Sequence, residues 1–217
     1  MNTLPVDPAE AIRRLNLPAG FRPTWSIVGL FPSQGDWTDD DYLSLAERLE
    51  AGRLIELVDG QIEVLPVPTE EHQLINGFLY EQLNAFVRAG GLGIVLFAGL
   101  RVRLKPQHFR LPDLVFMSAA NRAKRGNRFW QGADLAIEIV SEDDPDRDYV
   151  EKRAAYAAAG IKEYWIVDPR DRSVTLLVLK GRKYQQLGRF VEGEQVASVV
   201  LSGYSLGVSA IFDAANE

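Results

Sequence analysis

The stretch Asp134-Leu135-Ala136-Ile137-Glu138-Ile139-Val140 constrains this chain more than any other. From Leu135 to Val140 both faces are apolar apart from one glutamate near the middle, the pattern of a strand buried in a sheet. Successive side chains alternate, so Leu135, Ile137 and Ile139 share one face and Ala136, Glu138 and Val140 the other. Glu138 therefore projects from the face with the smaller neighbours, which leaves room for an ion. A buried carboxylate is costly unless it is paired or coordinates a metal. A second carboxylate, Asp113, follows Pro112 in Leu111-Pro112-Asp113-Leu114-Val115-Phe116. A strand start after proline has incomplete backbone pairing, and its side chain can face a cleft. The two carboxylates converge if these strands are neighbours.

Lys152 follows on a helix expected over Asp146 to Ala159 and ended by Gly160. It lies four residues after Asp148 and four before Tyr156, so the three share a helix face. That helix directly follows the Glu138 strand and can fold back over it. Two carboxylates with an ammonium close by suit a hard divalent cation engaged in hydrolysis of a phosphate ester.

The rest of the chain supplies a frame for such a site. Prolines at 5, 8, 18, 23 and 32 break up residues 1–37, which are expected to form an extension with a short helix over Ala9 to Leu15, anchored by Trp25 and Trp37. Thr38 caps a helix that opens on three aspartates. Ile55 to Val58 and Gln61 to Leu65 read as a hairpin turning at Asp59-Gly60. Thr69 starts the strongest helix, with Leu74, Ile75, Phe78, Leu79, Leu83, Phe86 and Val87 on one stripe and Gly90-Gly91 at its end. Strands are expected over 94–98, 100–104, 111–117, 134–140 and 163–167, then a hairpin over 174–179 and 183–190 and a strand over 199–206. The fold class is α/β, bordering on α+β, with a mixed central sheet flanked by helices and additional β-hairpins.

Composition narrows the chemistry. The 217 residues include no cysteine, which removes disulfides, thiolate catalysis, iron–sulfur clusters and cysteine-ligated zinc and fits a cytoplasmic protein. No apolar run approaches bilayer length, and no membrane partner is expected. The formal net charge of −6 argues against nonspecific coating of nucleic acid. The charge is uneven: Arg122, Lys124, Arg125 and Arg128 form a basic loop, whereas Glu142, Asp143, Asp144, Asp146 and Asp148 follow Glu138 with Arg147 alone among them.

Several of these segments together resemble the Uma2 family, restriction-endonuclease-like proteins of the PD-(D/E)XK nuclease superfamily. They are Glu56-Leu57-Val58-Asp59-Gly60, Glu71-His72, Leu111-Pro112-Asp113-Leu114-Val115, Glu138-Ile139-Val140-Ser141, Lys152, Tyr156 and the run Gly160 to Pro169. The resemblance covers roughly residues 38–212 and implies a domain over 38–217 with a restriction-endonuclease-like core. It implies Mg²⁺- or Mn²⁺-dependent cleavage of phosphodiester bonds in DNA, with Asp113 and Glu138 as metal ligands, Glu71 as the helix carboxylate and Lys152 as the catalytic ammonium. The superfamily lysine normally stands two residues after the strand glutamate, where this chain has Val140, so Lys152 is the migrated equivalent. Arg101, Arg103, Lys124, Arg125 and Arg128 are the candidate nucleic-acid contacts, and a homo-oligomer is expected. The acidic segment after Ser141 departs from the family pattern and bears on substrate and activity rather than on fold.

Each residue also has an ordinary structural reading. Asp113 can cap a turn after Pro112, Glu138 can pair with Arg101 or Arg103, Lys152 can be solvated, and Glu71 can sit at a helix N-terminus because acids are favoured there. His72 reads as a capping or structural residue. The alternative to a nuclease is accordingly a nuclease-fold protein without catalysis, binding nucleic acid or acting through oligomeric interactions. A carboxylate-dependent hydrolase of another substrate such as a glycoside ranks last, for want of an aromatic stacking platform.

Overall fold

A computed structural model of the chain describes residues 32–49 and 54–216. In chain order its elements are α1 (Asp39–Arg48), β1 (Ile55–Val58), β2 (Gln61–Val64), α2 (Glu70–Ala89), β3 (Gly93–Phe97), β4 (Val102–Lys105), β5 (His108–Arg110) and β6 (Leu114–Ser118). A 3₁₀ turn (Ala119–Lys124), β7 (Trp130–Gln131), β8 (Leu135–Ile139), a π-helical turn (Arg147–Lys152), α3 (Arg153–Ala159), β9 (Glu163–Asp168), β10 (Ser173–Lys180), β11 (Lys183–Val191), β12 (Gln195–Ala197), β13 (Ser205–Gly207) and α4 (Val208–Asp213) follow. The expected helix over Ala9 to Leu15 and the Trp25 anchor lie outside the described residues. The chain divides into two units, Met1–Val67 with Lys105–Arg110 and Pro68–Leu104 with Leu111–Glu217.

In the first unit, Thr38 caps α1 through a reciprocal capping box with Asp41. The β1–β2 hairpin turns at Asp59 and Gly60, whose φ values of 49° and 77° give the two left-handed residues that a tight hairpin turn needs. Trp37 is buried, as its expected anchoring role requires, and its carbonyl accepts Gln107 Nε2 at 3.1 Å. His108 to Arg110, which no local pattern marks as a strand, forms β5. Gln107 takes φ 57°, which closes the turn immediately before it, and Leu57 on β1 pairs with Phe109. By the same register Arg110 lies opposite Glu56, and Glu56 lies opposite Glu63 on β2.

In the second unit a six-stranded sheet runs β11-β10-β9-β8-β6-β3. The β8–β9 pair is parallel and the others are antiparallel, so the sheet is mixed. The parallel pair is joined through the π turn and α3, the helical crossover that parallel neighbours need. The alternation read from the sequence holds: Leu135, Ile137 and Ile139 pack with Ile75, Leu79, Leu83 and Val87 of α2 on one face. Ala136 and Val140 pack with Tyr156, Ala157 and Tyr164 on the other. The buried stripe of α2 is narrower than expected, because Leu74 is exposed. Gly160, at φ 80°, ends α3 in the left-handed region. The strand expected over 199–206 is reduced to β13. Among the described residues no helix is long and apolar enough to cross a membrane.

Asp134, just ahead of β8, ties this sheet to its surroundings. Its carboxylate accepts Ser118 N at 2.9 Å, Ser118 Oγ at 2.8 Å, Asn121 Nδ2 at 2.7 Å and Lys162 Nζ at 2.7 Å. Burial works against the charge, but these donors outweigh it and hold the carboxyl at about 2, below its ordinary 3.8. A depressed carboxyl stabilises the fold above its unfolded-state value, and that stability disappears as pH falls through the folded one. Asp134→Asn is expected to cost about 1–2 kcal/mol at neutral pH. In urea denaturation, the gap between wild type and variant should close as pH falls from about 4 to about 2.

Candidate active site

The register of β6 and β8 builds the site. Leu114 pairs with Ile137, Val115 with Ala136 and Phe116 with Leu135 in antiparallel sense. One step further, Asp113 stands opposite Glu138, and opposed residues of an antiparallel pair share one face of the sheet. Each side chain reaches across to the other strand's backbone. Ile139 N–H donates to Asp113 Oδ2 at 2.8 Å, and Asp113 N–H points to Glu138 Oε2 at 3.4 Å. The incomplete pairing expected after Pro112 is thus filled by side chains rather than by the ladder.

Glu138 is buried, and both of its oxygens are engaged. Tyr156 OH donates to Oε1, and Lys152 Nζ lies 2.9 Å from Oε2. The partners are Lys152 and Tyr156, not Arg101 or Arg103. Lys152 is itself buried rather than solvated. Its ammonium also lies 2.8 Å from Asp148 Oδ1, close enough to pair the charges. The spacing Asp148-Lys152-Tyr156 does place three side chains on one helix face. The backbone there is a π turn through Lys152 followed by α-helix from Arg153, and the Asp148 carbonyl accepts Tyr164 OH at 3.1 Å. Wide turns of this kind are frequent at functional sites.

Electrostatically the site has an excess of acid. Asp113, Glu138 and Asp148 face the ammonium of Lys152 and the ring of His72. Burial pushes Glu138 up to about 8; the Lys152 charge opposes this and the neighbouring carboxylates add to it. Burial likewise raises Asp148 against the pull of Lys152. Burial holds Tyr164 well above the ordinary phenol range, and the nearby Glu138 charge adds to that. Burial thus disfavours the charged forms of Glu138 and Asp148, and a proton or a bound cation offsets that cost.

His72, in the first turn of α2, brings its Nε2 to 3.2 Å from Asp113 Oδ2. Burial acts against a charged ring there, but the bond to Asp113 and its charge prevail and raise the imidazole. Its neighbour Glu71 is exposed. Of the candidate nucleic-acid contacts, Lys124 and Arg128 are exposed, while Arg101, Arg103 and Arg125 are half-buried. His72, Asp148 and Tyr156 also belong to the cluster, and sequence reasoning named none of them as a site residue. The four-residue spacing around Lys152 pointed to two of them; nothing in the sequence distinguished His72 from a capping residue.

The donors suit a hard divalent cation. Both ligand candidates are carboxylates, and Asp113 Oδ1 accepts no hydrogen bond among the described residues. Among those residues no three His, Asp or Glu side chains form a ready-made cage. One or two carboxylates, completed by water and substrate phosphate, is a common arrangement for Mg²⁺.

Comparison with known proteins bears on family and fold. The family model of Uma2, described as "Putative restriction endonuclease", matches residues 39–209. No curated protein matches the chain. A crystal structure described as a putative nuclease belonging to DUF820, from Anabaena variabilis, superposes with a TM-score of 0.67 at 18% identity, covering 85% of this chain and 99% of that one. That likeness is one of fold, a mixed sheet flanked by helices with additional hairpins. With the family match spanning most of its length, the chain belongs to the Uma2 family.

Proposed function

We propose that this protein is a Mg²⁺- or Mn²⁺-dependent endonuclease that hydrolyses phosphodiester bonds of DNA in the cytoplasm. The observation that supports this best is the Asp113–Glu138 cross-strand pair, with Asp113 Oδ1 accepting no hydrogen bond among the described residues and the Lys152 ammonium on Glu138. Asp113 and Glu138 would hold the ion, with Glu71 in the first turn of α2 as a third carboxylate. When bound, the ion supplies a Lewis acid for a phosphoryl oxygen and lowers the pKa of a water. Lys152 orients that water and offsets the charge that develops on the phosphate. Tyr156 and Lys152 hold the two Glu138 oxygens, and burial excludes competing solvent. Arg101, Arg103, Lys124, Arg125 and Arg128 are the candidate contacts to DNA phosphates, and the working assembly is a homo-oligomer.

A second reading is a nuclease-fold protein that binds or assembles without cleaving. Its specific support is the exposed acid of Glu142, Asp143 and Asp144 just beyond β8, which repels phosphate. Supercoiled plasmid with Mg²⁺, Mn²⁺ or chelator separates the two. The nuclease reading expects metal-dependent nicking that Asp113→Asn and Glu138→Gln reduce by roughly 10²–10³-fold or more. DNA binding that persists in chelator, with no cleavage under either metal, would establish the second. Cleavage that both variants leave intact would show that the site is misassigned.

A further inference from the structure

We infer that His72 is the positioning residue of Asp113, fixing its carboxylate so that Oδ1 is the oxygen presented to the cation. This rests on the reading of Asp113 and Glu138 as a divalent-cation site. Thr69 Oγ accepts His72 N–H at 3.2 Å, so the backbone at 72 is fixed by the cap of α2. That cap needs only the backbone N–H of residue 72 and makes no use of its ring. Glu70 and Glu71 face solvent, whereas the His72 side chain is only 14% exposed and turns toward Asp113.

For His72 Nε2 to donate across the 3.2 Å contact, the imidazole proton sits on Nε2. His72 Nδ1 is buried and has no hydrogen-bond partner among the described residues, so the ring makes its single described hydrogen bond to Asp113. Asp113 Oδ2 then takes two donors from two directions, Nε2 of His72 and the Ile139 amide at 2.8 Å. Two bonds on one oxygen fix both the side-chain rotamer and the plane of the carboxylate. Oδ1 receives neither bond and is left for the ion. Groups that orient a ligand in this way commonly matter to the metal nearly as much as the ligand itself.

The test is Mn²⁺ binding by calorimetry together with pulsed electron paramagnetic resonance of the bound Mn²⁺. The proteins are wild type, Asp113→Asn, His72→Phe, which keeps bulk without a donor, and His72→Gln, which keeps an amide donor. Expected are Mn²⁺ binding by wild type, its loss in D113N, a drop of roughly 10–100-fold in H72F and recovery of most of that drop in H72Q. No histidine nitrogen coupling to Mn²⁺ is expected. Should H72F fail to fold in chelator, His72→Ala replaces it: added imidazole restoring Mn²⁺ affinity supports the role, and no restoration overturns it. If H72F binds Mn²⁺ as tightly as wild type while D113N does not, the His72 role falls and the cation site stands. Nitrogen coupling would place the ring on the ion and overturn the positioning role. If wild type binds no Mn²⁺, or D113N binds as wild type does, the cation reading falls and the role with it.

Discussion

Lys152→Met is expected to destabilise the ion-free protein by about 3 kcal/mol, the lower end of the range for removing one partner from a buried charge pair. Methionine preserves much of the stem's packing, so the loss isolates the ammonium. The cost stays at the lower end because Glu138 and Asp148 can take up protons when the ammonium is gone. That escape makes the penalty depend on pH. Both carboxyls are raised above their ordinary values of 4.5 and 3.8 in the folded protein, and the variant raises them further. Above those values the folded state binds more protons than the unfolded state, so stability falls as pH rises, toward about 8 for Glu138 in the wild type. The slope should be steeper in the variant. Urea denaturation in chelator across that window checks this: a difference between the proteins that shrinks with rising pH would contradict it. On the proposed reaction, the same variant should lose roughly 10²–10³-fold in cleavage rate.

Arg110→Met should open the first unit by about 3–5 kcal/mol. The reason is a row of charge running across three strands. Arg110 Nη1 is 2.7 Å from Glu56 Oε2 and 3.1 Å from Glu63 Oε2, and Arg110 and Glu56 are both essentially inaccessible to solvent. Without the guanidinium, two glutamates stand opposite each other on β1 and β2, one of them sealed in the interior, and like charges so placed repel. Arg110→Met with Glu56→Leu should recover much of the loss, since replacing a whole buried pair by apolar groups costs far less than removing one member. Amide exchange of β1, β2 and β5 reads this unit directly. Equal protection in wild type and Arg110→Met would mean that the row carries no net stability.

How far the sequence reading reached follows from what each element depends on. The β8 faces were legible because alternation is local: Ala136, Glu138 and Val140 had to share a face, and they do. The cap at Thr69 and the Asp59-Gly60 turn were legible for the same reason. The opposition of Asp113 and Glu138 was conditional on pairing between segments far apart in the chain, which no local pattern specifies. Strand β5 escaped notice because it has three residues and owes its existence to a left-handed Gln107 and to pairing with β1. Nothing local marked the Arg110 ion pairs because its partners lie about fifty positions upstream, and His72 looked like a cap because its ring answers to Asp113 rather than to its neighbours.

The π turn from Arg147 to Lys152 has a consequence for how a lysine can leave the strand and still serve the same glutamate. Such a turn holds one more residue per hydrogen-bonded loop than an α-helical turn. Were the same six residues wound as ordinary helix, everything downstream would turn by roughly 100° relative to everything upstream. Asp148 would keep its bearing while Lys152 and Tyr156 swung away from Glu138. The wide turn is thus a phase adjuster: it sets the angular timing between a helix and the strand that feeds it. The wide turn is therefore as much a part of the site as the identity of either residue, and winding it as ordinary helix at unchanged chain length should be as damaging as losing the ammonium.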